Sequence, residues 1–277
     1  MPLAVCATPI GNLADVTLRV LEELREADAV LCEDTRRTRI LLDRHGIRAR
    51  RLVSLHRHNE ERRTEELLPL LVAGARHALV SDAGLPGVND PGGRLLRAAL
   101  EAGVEVTVLP GASAVETALV VSALGAAGYR FLGYLPRREG DLDTLWAESR
   151  SWPYAAVAFE SPQRLPRSLG RLARVDPERR VAVCRELTKR FEEVVRGSAA
   201  EVAARFAEPT RGEVTVVLAP GAAGDRDDDG GAAAAAAVAV RRLVEAGAAR
   251  RVAADVVSGL VGTSRNELYR ASLDRAD

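Results

Sequence analysis

The sequence predicts an α/β protein: two α/β domains followed by a small helical C-terminal appendage. Three observations predict it. Short apolar runs alternate with segments of helical spacing over residues 1–111, which implies a mostly parallel sheet with crossover helices. Over 112–220 the rhythm changes to apolar runs that alternate or lie close to turns, as antiparallel neighbours do, so this second sheet is mixed. Residues 221–231 (GAAGDRDDDGG) are small and acidic without a core-forming side chain and read as a flexible linker, and 232–277 are helix-forming.

The elements follow in order. Leu3-Ala4-Val5-Cys6-Ala7 is a short apolar strand that ends in the turn Thr8-Pro9-Ile10-Gly11-Asn12. From Thr17 to Glu26, Leu18, Leu21 and Leu24 share one helical face with charges opposite. Ala29-Val30-Leu31-Cys32 is a second strand, and a helix from Thr38 to Arg44 stops at Gly46. Arg51 to Leu55 is a third strand, and Glu60 to Ala73 a helix that ends at Gly74. Ala78-Leu79-Val80 leads into Ser81 to Gly93, a stretch too rich in glycine and proline for a regular element. Leu95 to Ala102 is a helix, and Val104 to Leu109 a fifth strand ending at Pro110-Gly111.

Beyond it, Ala112-Ser113-Ala114 opens a small-residue helix, Val115 to Leu124. Strands are predicted at Phe131–Leu135, Tyr154–Phe159, Val181–Cys184, Phe191–Arg196 and Glu213–Leu218. In the tail, Val252 to Val257 precedes Gly259-Leu260-Val261-Gly262, and Thr263 or Ser264 is placed to cap the next helix, Ser264 with Glu267 forming a capping box. Helix, glycine turn and capped helix suit a helix-turn-helix or an ordinary αα-hairpin.

Composition narrows the function. The 277 residues are 47% hydrophobic but only 4% aromatic, so the core is built of Ala, Val and Leu. The 39 basic and 39 acidic residues balance, so global charge does not point to nucleic acid, although a local basic patch is compatible with a neutral total. Cys6, Cys32 and Cys184 stand apart in apolar contexts and read as buried thiols of a reducing cytosol. His56-Arg57-His58 lacks nearby ligands of metal-site spacing, so no metal is expected. No signal peptide and no long uncharged apolar run is present, so a soluble cytoplasmic protein is expected.

The chemistry should lie in the loops. Thr8–Asn12, Ser81–Gly93 and Pro110–Ala114 all follow strands of the first domain, so a parallel sheet puts them on one edge. Ligands bind at that edge in open α/β sheets. Glycine lets backbone groups approach a ligand, and Asp82 adds an acceptor for a ribose hydroxyl or a cation. Neither Gly-x-Gly-x-x-Gly nor a Walker lysine motif occurs, so the set points to a nucleoside-like ligand held in another way. Glu33-Asp34-Thr35-Arg36 supplies either a capped helix start with a surface ion network or arginine forks for phosphate. Arg185-Glu186-Leu187-Thr188-Lys189 contains the chain's single lysine.

These motifs, in this order, carry a resemblance. Thr8 to Asp15, Cys32 to Arg36, Ser81 to Pro86 with Asp90-Pro91-Gly92, Pro110 to Ala114, Phe131 to Arg137, Phe159 to Arg164, and Arg185 to Lys189 closely resemble the small-subunit ribosomal RNA 2′-O-ribose methyltransferases of the tetrapyrrole methylase superfamily. The resemblance covers residues 3 to about 219, and the tail at Arg265-Asn266-Glu267-Leu268-Tyr269 fits it too. It implies S-adenosylmethionine in a cleft between two α/β domains, usually in a homodimer. It also implies methylation of a decoding-centre cytidine 2′-hydroxyl in the 16S ribosomal RNA of the 30S subunit. By position the cofactor should meet Pro9, Asp82, Ala83, Gly84, Leu85, Val88, Ser113, Ala114, Tyr134, Leu135, Gly212 and Val214. Glu33, Asp34, Arg36 and Arg185 should border the RNA, with the tail as an RNA-engaging appendage. Glu186 and Lys189 are the expected acceptors of the hydroxyl proton. Two other readings remain at this point: a small-molecule tetrapyrrole methylase, which typically shows a Gly-x-Gly-Asp-type loop where Thr8 to Leu13 stands, and a non-catalytic RNA-binding factor.

Overall fold

Short runs of Ala, Val, Leu and Cys become the inner strands, buried on both faces, with partly exposed strands at the two edges. β1 (Leu3–Cys6), β2 (Ala29–Cys32), β3 (Leu52–Ser54), β4 (His77–Val80) and β5 (Val106–Leu109) form a sheet of order β3-β2-β4-β1-β5, parallel at every pairing. Strand periodicity divides β1: Ala4 and Cys6 face one side, Leu3 and Val5 the other. On the first side lie α1 (Leu18–Glu26) and α2 (Thr35–Arg44), through Val20, Leu24, Leu41 and Leu42. On the second lie α3 (Glu60–Val72) and α4 (Gly93–Glu101), through Leu67, Leu71, Leu95 and Ala99. This double cover explains why the strands read as unbroken apolar runs. The computed structural model describes residues 2–87, 90–125, 128–221, 229–261 and 264–273, with the backbone alone for 229–235.

Helix starts fix two of the loops. Thr17 caps α1 by accepting from the Val20 N–H, and Asp34 caps α2 by accepting from the Arg36 N–H. The predicted second helix therefore begins earlier than Thr38, because the Asp34 side chain starts it. The α1 connection carries β1 toward β2, whereas the α4 connection carries β4 past β1 to β5. The two directions part between β4 and β1, which opens a crevice at the strands' carboxyl ends.

A second sheet completes the same compact unit, Met1–Ala147 with Ala155–Ala219. Its elements are α5 (Ala114–Ser122), β6 (Tyr129–Tyr134), α6 (Glu139–Ser149), β7 (Ala155–Glu160), α7 (Leu165–Val175), β8 (Arg180–Arg185), β9 (Glu193–Ser198), α8 (Ala199–Arg205) and β10 (Val214–Leu218). The order is β6-β7-β10-β8-β9, with β6 parallel to β7 and the other pairings antiparallel. The mixed sheet expected from the sequence is therefore present. Val115 and Ala118 of α5 pack on Val157, Ala182, Cys184 and Val217. The sequence reading omitted α6, α7 and α8. For α8 a signal existed, since Ser198-Ala199-Ala200-Glu201 forms a capping box in which each end bonds the other's backbone. The three cysteines are buried free thiols, and burial pushes Cys6 and Cys184 up to about 12.

The second compact unit comprises Glu148–Tyr154 and Pro220–Asp277. It holds α9 (Asp229–Glu245), α10 (Arg250–Val261) and α11 (Arg265–Ala271), packed through Val240, Ala253, Ala254, Val257 and Leu268. α9 begins at Asp229, inside the segment expected as linker, and 222–228 lie outside the described residues. α10 continues through Gly259, Leu260 and Val261, where a turn was expected; a single glycine inside a packed helix costs only about 1 kcal/mol. Ser264 stands at the N-cap of α11 but makes no side-chain cap bond, so the expected capping box with Glu267 does not form. Thr263 lies outside the described residues. Among the described residues no helix is long and apolar enough to cross a membrane.

Candidate functional site

The loops after β1, β4 and β5 are laced to one another. Thr8 and Gly84 exchange both backbone hydrogen bonds (2.8 and 3.0 Å), and the Thr8 hydroxyl donates to the Ser81 carbonyl at 3.0 Å. Gly84 takes φ +76°, a left-handed conformation that suits glycine, and so brings its backbone against Thr8. After β5, Gly111 sits so close to Ala7 that an added Cβ would lie 2.9 Å from the Ala7 Cβ. The β2 loop joins this edge through Asp82, which accepts from the Asp34 N–H at 3.1 Å and from Arg37 at 3.4 Å.

These loops form one wall of a cavity of about 970 Å³ within the first unit. Glu33, Asp82, Ala83, Gly84, Leu85, Ser113 and Ala114 line that wall. The opposite wall comes from the second sheet: Tyr134, Phe159, and the Gly212–Thr215 strand start that β10 lays beside the end of β7. Of the predicted cofactor residues, Asp82 to Leu85, Ser113, Ala114, Tyr134, Gly212 and Val214 converge on this space. Pro9 and Leu135 are buried behind it and do not line it, and Val88 lies outside the described residues.

Of the aromatic side, the sequence reading names only Tyr134 as a cofactor residue and misses Tyr129, Phe131 and Phe159. Tyr129, Phe131, Tyr134 and Phe159 all line the cavity, with Phe131 and Tyr134 edge-on to Phe159 at centroid distances of 5.1 and 5.6 Å. A chain with four Phe and four Tyr in total places half of them here. That scarcity was a usable signal. Asp90, Arg37, Arg57, Glu116 and Glu160 also line the space. Glu160 is 2% exposed and fully engaged: its carboxylate accepts from the Ser161 N–H, from Arg164 at 3.0 Å and from the Ser168 hydroxyl at 2.5 Å.

Glu186 and Lys189 stand one layer back, neither lining the cavity. The Lys189 ammonium donates to Glu186 at 2.8 Å and to Glu213 at 3.0 Å, and Glu186 also accepts from the Glu213 N–H at 2.9 Å. The turn that holds them is tight, with φ +53° at Glu186 and +65° at Thr188, both uncommon for residues with a side chain. The Thr188 hydroxyl accepts from the Asn12 N–H at 2.9 Å, which ties this turn to the β1 loop. Burial works to lower the Lys189 pKa, but the bonds to the two carboxylates win and leave it raised. The bond from Lys189 in turn lowers that of Glu186. Lys189 is thereby held as a cation, the opposite of the neutral amine a proton acceptor requires.

The predicted RNA contacts separate. Asp34 and Arg36 form a forked pair with each other, with Arg36 largely exposed, and the bonds from Arg36 take the Asp34 carboxyl down to about 2. Arg185 is bonded to Glu193 at 3.0 Å and to the Arg211 carbonyl at 3.3 Å. Asp34, Arg36 and Arg185 do not line the cavity, whereas Glu33 does.

Comparison with known proteins then decides the family. The model of the Tetrapyrrole (Corrin/Porphyrin) Methylases matches residues 2–203. Proteins named ribosomal RNA small subunit methyltransferase I are similar over nearly the whole chain. The one from Micromonospora olivasterospora is 44% identical, covering 96% of this chain and 85% of its own. Those from Mesorhizobium japonicum and Streptococcus pyogenes serotype M1 are 40% and 37% identical, covering 99% and 97% of this chain and 92% and 93% of theirs. The chain belongs to the tetrapyrrole methylase family, among the ribosomal RNA small subunit methyltransferase I proteins. Solved structures share the methylase fold. The methyltransferase CobJ has a TM-score of 0.60 at 19% identity, covering 79% of this chain and 93% of its own. A Thermus thermophilus uroporphyrin-III C-methyl transferase, complexed with S-adenyl homocysteine, has a TM-score of 0.54 at 22% identity, covering 78% and 96%. The cavity of this methylase is bounded by residues at the ends and loops of both its sheets.

Proposed function

We propose that this methylase transfers the methyl group of S-adenosylmethionine to the ribose 2′-hydroxyl of a cytidine in the decoding region of 16S ribosomal RNA. The observation that carries the reading is the cavity itself. Backbone-rich loops, Asp82–Leu85 and Ser113–Ala114, form one wall, and Tyr134, Phe159 and Gly212–Val214 form the other. Exposed backbone suits the polar ribose and amino-acid parts of the cofactor, and aromatic edges suit its adenine. The carboxylates of Glu33, Asp82 and Asp90 give the space a negative field that favours a sulfonium cation. The names of the sequence relatives support ribosomal RNA of the small subunit as the substrate.

The sulfonium is already a strong electrophile, so the protein's task is to hold donor and hydroxyl in line and to take a proton. In this reading Glu186, Lys189 and Glu213 are a salt-linked clamp that positions the Gly212–Thr215 segment against the donor. Arg36 and Arg185, which do not line the cavity, are phosphate contacts outside it in this reading. In the helical unit a basic excess is confined to residues 241–270, where Arg241, Arg242, Arg250, Arg251, Arg265 and Arg270 stand against Glu245, Asp255 and Glu267, while acidic residues on either side cancel it over the unit as a whole; that basic stretch suits an RNA backbone. The test is incubation of purified, undermethylated 30S subunits with methyl-labelled S-adenosylmethionine, followed by nucleoside analysis. Label in 2′-O-methylcytidine of 16S RNA is the expected result. Label on a base, or transfer to a precorrin with none to RNA, overturns the reading.

A further inference from the structure

Methyl transfer to a hydroxyl is helped by a base that takes its proton, and an ionised carboxylate without a donor of its own can serve as one. Six carboxylates line the cavity: Glu33, Asp82, Asp90, Glu116, Glu160 and Glu213. Four are committed to donors of the protein itself. Asp82 accepts from the Asp34 N–H and Arg37. Glu116 accepts from the Ser113 hydroxyl and, at 2.5 Å, from Tyr129. Glu160 holds Ser161, Arg164 and Ser168, and Glu213 holds Lys189. Two remain. Among the described residues the Glu33 carboxylate has no hydrogen-bond donor, its backbone carbonyl alone accepting from Ser54, and the Asp90 carboxylate has only the Ser81 hydroxyl, which also points at the Ala83 and Gly84 carbonyls.

We propose that Glu33 and Asp90 together are the proton acceptor for the substrate hydroxyl, an inference that rests on the methyl-transfer reading above. In the step, the hydroxyl oxygen bonds to the donor's methyl carbon as the carbon–sulfur bond breaks and its electron pair returns to sulfur. The sulfonium becomes a neutral thioether, the hydroxyl proton passes to the carboxylate pair, and the resulting acid later releases it to water. Atoms and charge balance without a further reactant.

The surroundings tune the pair. Burial pushes the Asp90 carboxyl up to about 6, reinforced by Glu33 and Asp82 and opposed by Ser81 and Arg57. Burial and Asp82 also raise Glu33, against Arg57, His56 and Arg37. The Glu33 charge is thus one of the causes that raise Asp90. A raised carboxyl pKa leaves the pair ionised and receptive at neutral pH, yet far more basic than an exposed carboxylate. Below about pH 6 Asp90 takes up a proton and can no longer accept one.

The experiment is single-turnover methylation of 30S subunits at saturating S-adenosylmethionine from pH 5 to 8. It compares wild type, Glu33→Gln, Asp90→Asn, the double variant, and the conservative Glu33→Asp. Wild type should lose about tenfold in rate per pH unit below an apparent pKa near 6. The double variant should be about 10²-fold slower at pH 7.5 and show no such limb, while Glu33→Asp keeps the limb. Calorimetry with S-adenosylhomocysteine should give affinities within about threefold of wild type, which also shows that the variants are folded. Rates near wild type in the double variant overturn the proposal. So does a loss that follows weakened donor affinity. A wild-type enzyme that methylates no ribose in 30S subunits would instead contradict the functional reading itself.

Discussion

Glu160→Ala should cost the first unit about 3–5 kcal/mol, the range for removing one partner of a buried charge pair. Glu160 is 2% exposed at the end of β7, and its carboxylate gathers the Ser161 N–H, the Ser168 hydroxyl and the Arg164 guanidinium. Alanine leaves all three donors without this acceptor at once. Arg164 still meets the Leu135 and Pro136 carbonyls, at 2.7 and 3.0 Å, but its charge is left without a counter-ion. Those two carbonyls follow Tyr134, so loosening Arg164 loosens an aromatic wall of the cavity as well. The expected measurement is a urea midpoint lowered in proportion by near-UV circular dichroism, with Trp146 as a reporter because its indole donates to the Ser168 carbonyl at 3.2 Å. An unchanged midpoint would show that the carboxylate is dispensable to the fold.

The second large effect concerns Gly212. Its φ is +91°, and a Cβ there would stand 2.5 Å from both Cγ and Cδ of Glu186. Gly212→Ala therefore combines backbone strain with displacement of the side chain that holds Lys189 and the Glu213 N–H. Gly74 separates the two causes. It has nearly the same φ, +90°, but a Cβ there meets nothing within 4 Å. Gly74→Ala should cost about 1 kcal/mol of stability and leave donor binding unchanged. Gly212→Ala should cost about 2–4 kcal/mol, strain and overpacking together, and weaken S-adenosylhomocysteine binding at least tenfold by calorimetry. Equal effects of the two would mean that the clamp at Glu186 has no bearing on the cavity.

The parallel half was legible in the sequence because its signals are local. Runs such as Ala29-Val30-Leu31-Cys32, buried on both faces, announce their strands, and Gly46, Gly74 and Gly103 mark helix ends. Strand order was not legible, since it depends on which edges meet across many residues. β10 inserts between β7 and β8 although it comes last in the sheet. Of the omitted helices, α6 is acidic and lacks a clean apolar stripe, whereas α7 is arginine-rich but sets Leu165, Leu169 and Leu172 on one buried face, a signal that was usable.

The site divides in the same way. The glycine loops and Asp82 were found because glycine-rich turns after strands are visible in one dimension. Lys189 was singled out by its uniqueness, but its protonation state depends on Glu213, which arrives from another strand. In the sequence Asp90 stands out only as part of the Asp90-Pro91-Gly92 turn. What sets it apart is the proximity of Glu33, delivered by the β2 loop, and burial that no local pattern reports.

The central claim is that the methyl donor sits between the two sheets, against Asp82–Leu85 and Gly212–Val214. A crystal structure of the chain with S-adenosylhomocysteine tests it most directly. The account predicts the ligand in this cavity with its sulfur facing Glu33 and Asp90. Ligand bound elsewhere, or in the cavity with its sulfur turned away from both carboxylates, would contradict it.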